Sequence, residues 1–179
     1  IGIMCSDSSD PYLANAIYYL ERELRSNGYD SILCCTGYNL ETKTKYLDLL
    51  ISKRVDAVIL AGSKFVELKP KDNTYLIETA KKVPIMLVNG HLEGDNIYCT
   101  LCDDYTALYQ ATTNLIKNGS RKLLYLFTSH SYSGTNKLKG FQDACTDNQI
   151  PQSRFFVHQC PKEITAAKEL LSHLYDSGL

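Results

Sequence analysis

The sequence predicts an α/β chain with a mostly parallel sheet and helices on both faces, on three observations. Short apolar runs recur at residues 1–5, 31–35, 57–61, 85–88, 97–102, 123–127 and 155–158. Most are separated by a stretch long enough for one crossover helix, which gives a β-α-β-α order. Those intervening stretches carry the helical apolar period rather than strand alternation. In a sheet of this kind ligands bind beyond the carboxyl ends of the strands, so function is to be sought in the loops that follow them.

The first helix is the best marked. Ser9 and Asp10 are N-cap candidates, Pro11 suits the first helical position, and Leu13, Ile17, Leu20 and Leu24 form a stripe expected to face the sheet. Gly28 supplies its left-handed stop. A second helix is expected over 41–53, with Tyr46, Leu47, Leu50 and Ile51 apolar, and a shorter third over 73–82, ending before Val83-Pro84. A fourth runs over 104–118 through Leu108, Ala111, Leu115 and Ile116 to Gly119. A fifth is expected over 136–148 and a sixth over 164–176.

Composition narrows the function. An apolar share of 44% and a charged share of 22% over 179 residues are those of a globular protein. The formal net charge of -1 argues against nucleic-acid binding by this segment, since phosphate contacts need a basic face. No apolar stretch approaches a membrane span. Seven cysteines, several inside strand patterns, read as reduced core thiols of a cytoplasmic protein. Cys99 and Cys102 form a C-x-x-C, but within a strand pattern residues three apart point to opposite faces, which suits neither a redox pair nor a zinc knuckle.

The loops after the strands lack the usual catalytic and nucleotide signatures. The first, Ser6-Asp7-Ser8-Ser9-Asp10-Pro11, has acids where a dinucleotide-binding loop has glycines, so a pyrophosphate would meet carboxylates there. No P-loop, zincin or nucleophile-elbow pattern occurs, and His91, His130, His158 and His173 show no metal-ligand spacing. Ser129-His130-Ser131-Tyr132-Ser133-Gly134 is rich in hydroxyls and has two readings: a polar collar for a hydroxylated ligand, or the N-cap and turn before the fifth helix. Asp7, Asp10 and Tyr12 follow the first strand, Ser63 the third, Asn89 the fourth and Asp103 the fifth. Carboxylates, amides and hydroxyls beside an aromatic ring suit a sugar or nucleoside, and nothing forms a poised acid–base pair. Neither a metal nor a cofactor is expected, and binding is expected rather than catalysis.

A set of motifs running the length of the chain carries a resemblance. It comprises Ile1-Gly2-Ile3 with Asp10-Pro11-Tyr12-Leu13, the run Leu49-Leu50-Ile51-Ser52-Lys53-Arg54-Val55-Asp56-Ala57-Val58-Ile59-Leu60, and Val83-Pro84-Ile85-Met86-Leu87-Val88-Asn89. Asp103-Asp104-Tyr105 follows, leading to Leu115-Ile116-Lys117-Asn118-Gly119, and Lys137-Leu138-Lys139-Gly140-Phe141-Gln142-Asp143-Ala144 completes it. In order and spacing these resemble the effector-sensing core of bacterial repressors of the lactose/galactose repressor (LacI/GalR) family.

The resemblance implies a periplasmic-binding-protein-like fold of two Rossmann-like lobes with a small effector, typically a sugar or nucleobase, in the cleft. Residues 1–117 would form the first lobe and 118–179 part of the second. The family's core is longer and bears an N-terminal helix-turn-helix, absent from this chain, so a fragment of a regulator is expected. By match to the motifs, the effector-binding candidates are Tyr12, Leu13, Ser63, Asp103, Ser133 and Lys137. The family usually has Arg where Lys137 stands, and lysine brings a point charge without a planar fork. The resemblance further implies a cytoplasmic homodimer that controls operator DNA. A periplasmic sugar receptor of an importer shares the fold and is the rival expectation, and a small α/β enzyme ranks behind both.

Overall fold

The computed structural model describes residues 1–178 and divides into two compact units, Ile1–Cys102 and Asp103–Leu179. In the first unit, strands β1 (Gly2–Cys5), β2 (Ile32–Cys35), β3 (Val58–Ala61), β4 (Ile85–Val88) and β5 (Ile97–Thr100) form one sheet in the order β2-β1-β3-β4-β5. Every neighbouring pair is parallel. The crossovers are α1 (Pro11–Ser26), α2 (Leu40–Ser52) and α3 (Thr74–Ala80).

Local chemistry sets these helices. Asp10 caps α1 by accepting from the N–H groups of Tyr12 at 3.0 Å and Leu13 at 3.3 Å, and Pro11 begins the helix. Asn39 caps α2 through the Thr42 N–H at 3.1 Å. One face of the sheet is fully dry: Met4, Val58, Leu60, Ile85 and Leu87 pack on Leu47 and Leu50 of α2 and on Leu76 and Ala80 of α3. Gly2 sits on this face because a Cβ there would stand 2.8 Å from Leu50 Cδ1. The face toward α1 is less covered. Of the stripe expected to face the sheet only Leu13 is fully buried; Ile17, Leu20 and Leu24 are half-buried.

The second unit holds α4 (Asp104–Lys117), α5 (Tyr132–Asp147) and α6 (Ile164–Asp176) with the parallel pair β6 (Leu123–Phe127) and β7 (Phe155–Gln159). Helix α4, which the sequence reading placed at the end of a first lobe closing at 117, packs on α5 here. The core joins Ile116, Leu123, Phe141, Cys145, Ile150 and Phe155. Tyr125 stacks on Phe141 with ring centroids 5.1 Å apart.

Helix α5 starts earlier than the expected residue 136. Ser131 is its N-cap, accepting from the Gly134 N–H at 3.3 Å, so Tyr132, Ser133 and Gly134 form its first turn. Strand β5 ends before Cys102, so the C-x-x-C straddles a strand end. Cys99 reaches the Leu92 carbonyl at 3.7 Å, and Cys102 is exposed.

Candidate functional site

The order β2-β1-β3 reverses direction at β1, and the loops after β1 and β3 diverge at that switch point, where open α/β sheets hold ligands. Three of the candidates stand at this place. Tyr12 lies in the first turn of α1 and is more than half exposed. Leu13 is buried against Gly62, with its Cδ2 3.2 Å from where a Cβ on that glycine would sit. Gly62 has φ of +119°, a backbone that side chains rarely tolerate, and it turns β3 sharply into the short 3-10 segment begun by Ser63. Asp7 Oδ1 accepts from the Ser9 N–H at 3.0 Å and its hydroxyl at 2.6 Å, which shapes the β1–α1 loop.

Asn89 follows β4 in a left-handed conformation (φ 61°), and its N–H donates to the Thr100 carbonyl at 2.8 Å. Its side-chain oxygen is buried and has no hydrogen-bond partner among the described residues. The adjacent Gly90 packs close to Gly62 and Ser63, so the loops after β3 and β4 adjoin.

The segment carrying Ser63 is held from beneath by a residue the sequence reading did not single out. Lys43 of α2 is almost wholly buried, and its Nζ donates to the Lys64 carbonyl at 2.5 Å and to Glu67 Oε1 at 2.6 Å, 5.8 Å from the Phe65 ring centroid. Asn73 fixes Glu67 on both sides, accepting from its N–H at 2.7 Å and donating to its carbonyl at 2.9 Å. The Tyr75 hydroxyl donates to the Phe65 carbonyl, and burial first, then the charge of Glu67, raises its pKa. The available signal was positional: Lys43, Leu47 and Leu50 share one face of α2.

In the second unit Asp103 is exposed and caps α4, accepting from the Thr106 N–H at 3.0 Å. That bond and one from the Thr106 side chain hold its carboxyl below the ordinary value. The next residue, Asp104, points inward. It is only 7% exposed, its Oδ1 lies 3.3 Å from Lys137 Nζ, and its Oδ2 is buried without a partner among the described residues. Burial first and the Asp104 charge second raise the pKa of Tyr125, which places that phenol in the same neighbourhood. Ser133, buried, lies one turn before Lys137 on α5.

Gly140 sets this spacing. A Cβ there would collide with the Tyr105 carbonyl oxygen and stand 3.1 Å from the Tyr109 nitrogen, so α4 and α5 touch backbone to backbone. Lys137, three residues earlier on the same helix face, is thereby brought to the first turn of α4. The structure thus groups Leu13 with the Ser63 turn, and Ser133 and Lys137 with Asp104, while Asp103 turns outward to cap its helix. The one sign of Asp104 in the sequence is the doubled acid at the helix start, of which only one can cap. Among the described residues no group of three His, Cys, Asp or Glu side chains could hold a metal ion.

Comparison with known proteins gives the family of this fold. Residues 1–178 match the family model of periplasmic binding proteins and the sugar-binding domain of the LacI family. The chain belongs to this family. It is 54% identical over its whole length to an HTH-type transcriptional regulator of Lachnoclostridium phytofermentans, of which it covers 54%. Among solved structures it is similar to the Cra transcriptional dual regulator of Pseudomonas putida in complex with fructose 1-phosphate (TM-score 0.83, 20% identity, 98% of this chain and 63% of that one). It is also similar to a LacI family regulator of Enterococcus faecium with bound ribose (TM-score 0.76, 20% identity, 98% and 62%). The chain spans about half the length of the curated relatives it matches. These relatives are transcription regulators, not enzymes. No helix among the described residues is long and apolar enough to cross a membrane.

Proposed function

We propose that this chain is the effector-sensing portion of a bacterial DNA-binding transcription regulator, and that its effector is a small hydroxylated metabolite of the sugar class. The observation that carries the reading is Asp104: a carboxylate more than nine-tenths buried, bridged to Lys137 on one oxygen and lacking a donor on the other. A buried acceptor left unsatisfied costs about 1–3 kcal/mol, which a ligand hydroxyl would relieve by donating to it. The same hydroxyl can accept from the half-exposed Lys137, and Ser133 and Tyr125 offer further hydroxyls. The other candidates, Tyr12, Leu13 and Ser63, supply an aromatic face, an apolar wall and a hydroxyl at the switch point, in keeping with the cleft that the family resemblance implies. Ribose and fructose 1-phosphate in the related structures support a sugar-like effector.

In this reading the effector acts by binding one lobe arrangement better than another, because a ligand shifts an equilibrium only by its differential affinity. The regulator works in the cytoplasm as a C2 homodimer and passes the shift to operator DNA through an N-terminal helix-turn-helix outside this chain.

A thermal-shift screen of the full chain against sugars, sugar phosphates and nucleobases identifies the effector, since binding to the folded state raises the melting temperature. Calorimetry with the hit then reads Asp104→Asn and Lys137→Ala. Each is expected to weaken binding at least about tenfold, the order of one lost charge-assisted hydrogen bond. Affinity unchanged in both variants would overturn the assignment.

A further inference from the structure

Cys5 ends β1 and Cys35 ends β2, and the parallel register sets the two side by side. Their sulfur atoms are 3.5 Å apart. Neighbouring strands run about 4.8 Å apart, within the roughly 4.4–6.8 Å between Cα atoms that a disulfide bridges. Cys5 is wholly buried, whereas Cys35 is exposed. Cys34 is turned to the opposite face of β2 and is buried with Met4 and Leu47, so it does not compete for Cys5.

We propose that Cys5 and Cys35 are a hydroperoxide-responsive dithiol whose oxidation joins the ends of β1 and β2 by a reversible disulfide. The exposed Cys35 reacts first. Its thiolate attacks one peroxide oxygen, the O–O bond breaks, and the departing hydroxide takes a proton to leave as water, so Cys35 becomes a sulfenic acid. The Cys5 sulfur, losing its proton, attacks the Cys35 sulfur; the S–O bond breaks and hydroxide leaves as a second water. Two thiols and one hydrogen peroxide thus give one disulfide and two waters, the sulfurs losing the two electrons the peroxide gains. A small dithiol returns both thiols by exchange and is itself oxidised to a disulfide. The division of labour fits the environments: burial chiefly, and then the neighbouring Cys35 sulfur, push the Cys5 thiol up to about 12, so it is the resolving partner and not the first nucleophile.

The crosslink lands at the root of the β1–α1 loop. Thr36, directly after β2, already ties the strand ends together by donating its N–H to the Cys5 carbonyl at 2.8 Å. An influence of the disulfide on effector binding rests on the function proposed above; the sulfur chemistry does not.

The test is peroxide treatment of the full chain, alkylation of remaining thiols in denaturant and mass mapping without reduction. The expected product is an intramolecular link between the Cys5 and Cys35 peptides, two hydrogens lighter and reversed by dithiothreitol. Cys34→Ser keeps the link, Cys35→Ser abolishes it, and Cys5→Ala leaves a dimedone-reactive sulfenic acid at Cys35. Full alkylation of Cys5 after treatment, a link to Cys34, or a link between two chains in its place overturns the proposal.

Discussion

Two lysine–carboxylate pairs, one in each unit, are built in opposite ways. In the first, the lysine is the buried partner: Lys43 is 2% exposed, gives its protons to a carbonyl and a carboxylate, and lies against an aromatic ring. Its acid, Glu67, is partly solvated and has both backbone groups held by Asn73. In the second, the acid is buried and the lysine is 39% exposed, and one oxygen of Asp104 meets no donor. The charge closed by its own neighbours fixes a loop, whereas the one left open on a single atom is where the proposed effector would bind. Residue types alone do not separate the two roles; hydrogen-bond satisfaction does.

The contrast can be broken most forcefully at Lys43. Lys43→Met is expected to cost about 3–5 kcal/mol in urea denaturation, because it strips the partner from a largely desolvated pair and from the Lys64 carbonyl. Lys137→Met placed on an Asp104→Asn background, which leaves no buried charge unpaired, is expected to cost about 1 kcal/mol or less. Equal losses would erase the distinction. Gly140→Ala comes next, at about 2–3 kcal/mol, as the added methyl must push α4 from α5. Nuclear magnetic resonance should then show the Lys137 ammonium released from Asp104; a bridge that persists would mean that the glycine does not set the spacing.

Asp104→Asn sharpens the comparison from the other side. Its unfolding free energy is expected to stay within about 1 kcal/mol of wild type, because the lost bridge is offset by removal of an ill-solvated charge. A larger loss would make Asp104 a structural residue like Lys43. The smallest effect is at Asp103, whose carboxyl sits below the ordinary aspartate value of 3.8 through the bonds from Thr106. A depressed folded pKa adds stability above the unfolded value, and that contribution vanishes as pH falls through the folded one. Asp103→Asn should therefore be less stable than wild type above the ordinary aspartate value of 3.8, with the gap narrowing in denaturant titrations as pH falls below it. A gap independent of pH would assign the cap to geometry rather than charge.

Legibility from sequence varied with how local the cause is. Helix α1 was readable at both ends because Asp10, Pro11 and Gly28 act on their own backbone. The start of α5 was misplaced because a run of Ser and Gly suits a loop as well as a cap, and only the Ser131–Gly134 bond decides between them. The stripe on α1 promised more burial than Ile17, Leu20 and Leu24 achieve, since periodicity gives a face but not what covers it. Motif match points to Lys137, Ser133 and Asp103, and no local pattern tells that Asp103 caps α4 while Asp104 beside it turns inward. Lys43 escaped notice because a lysine in a helix is ordinarily solvated.

The sequence by itself determined the alternation of strand and helix and the parallel order it forces. These follow from periodicities and caps acting over a few residues. Only the tertiary structure decided which of two adjacent acids turns inward, which lysine is sealed, and that Cys5 lies beside Cys35. Those outcomes depend on register and helix contact between segments distant in the chain, and such contacts are set by packing that no local pattern encodes.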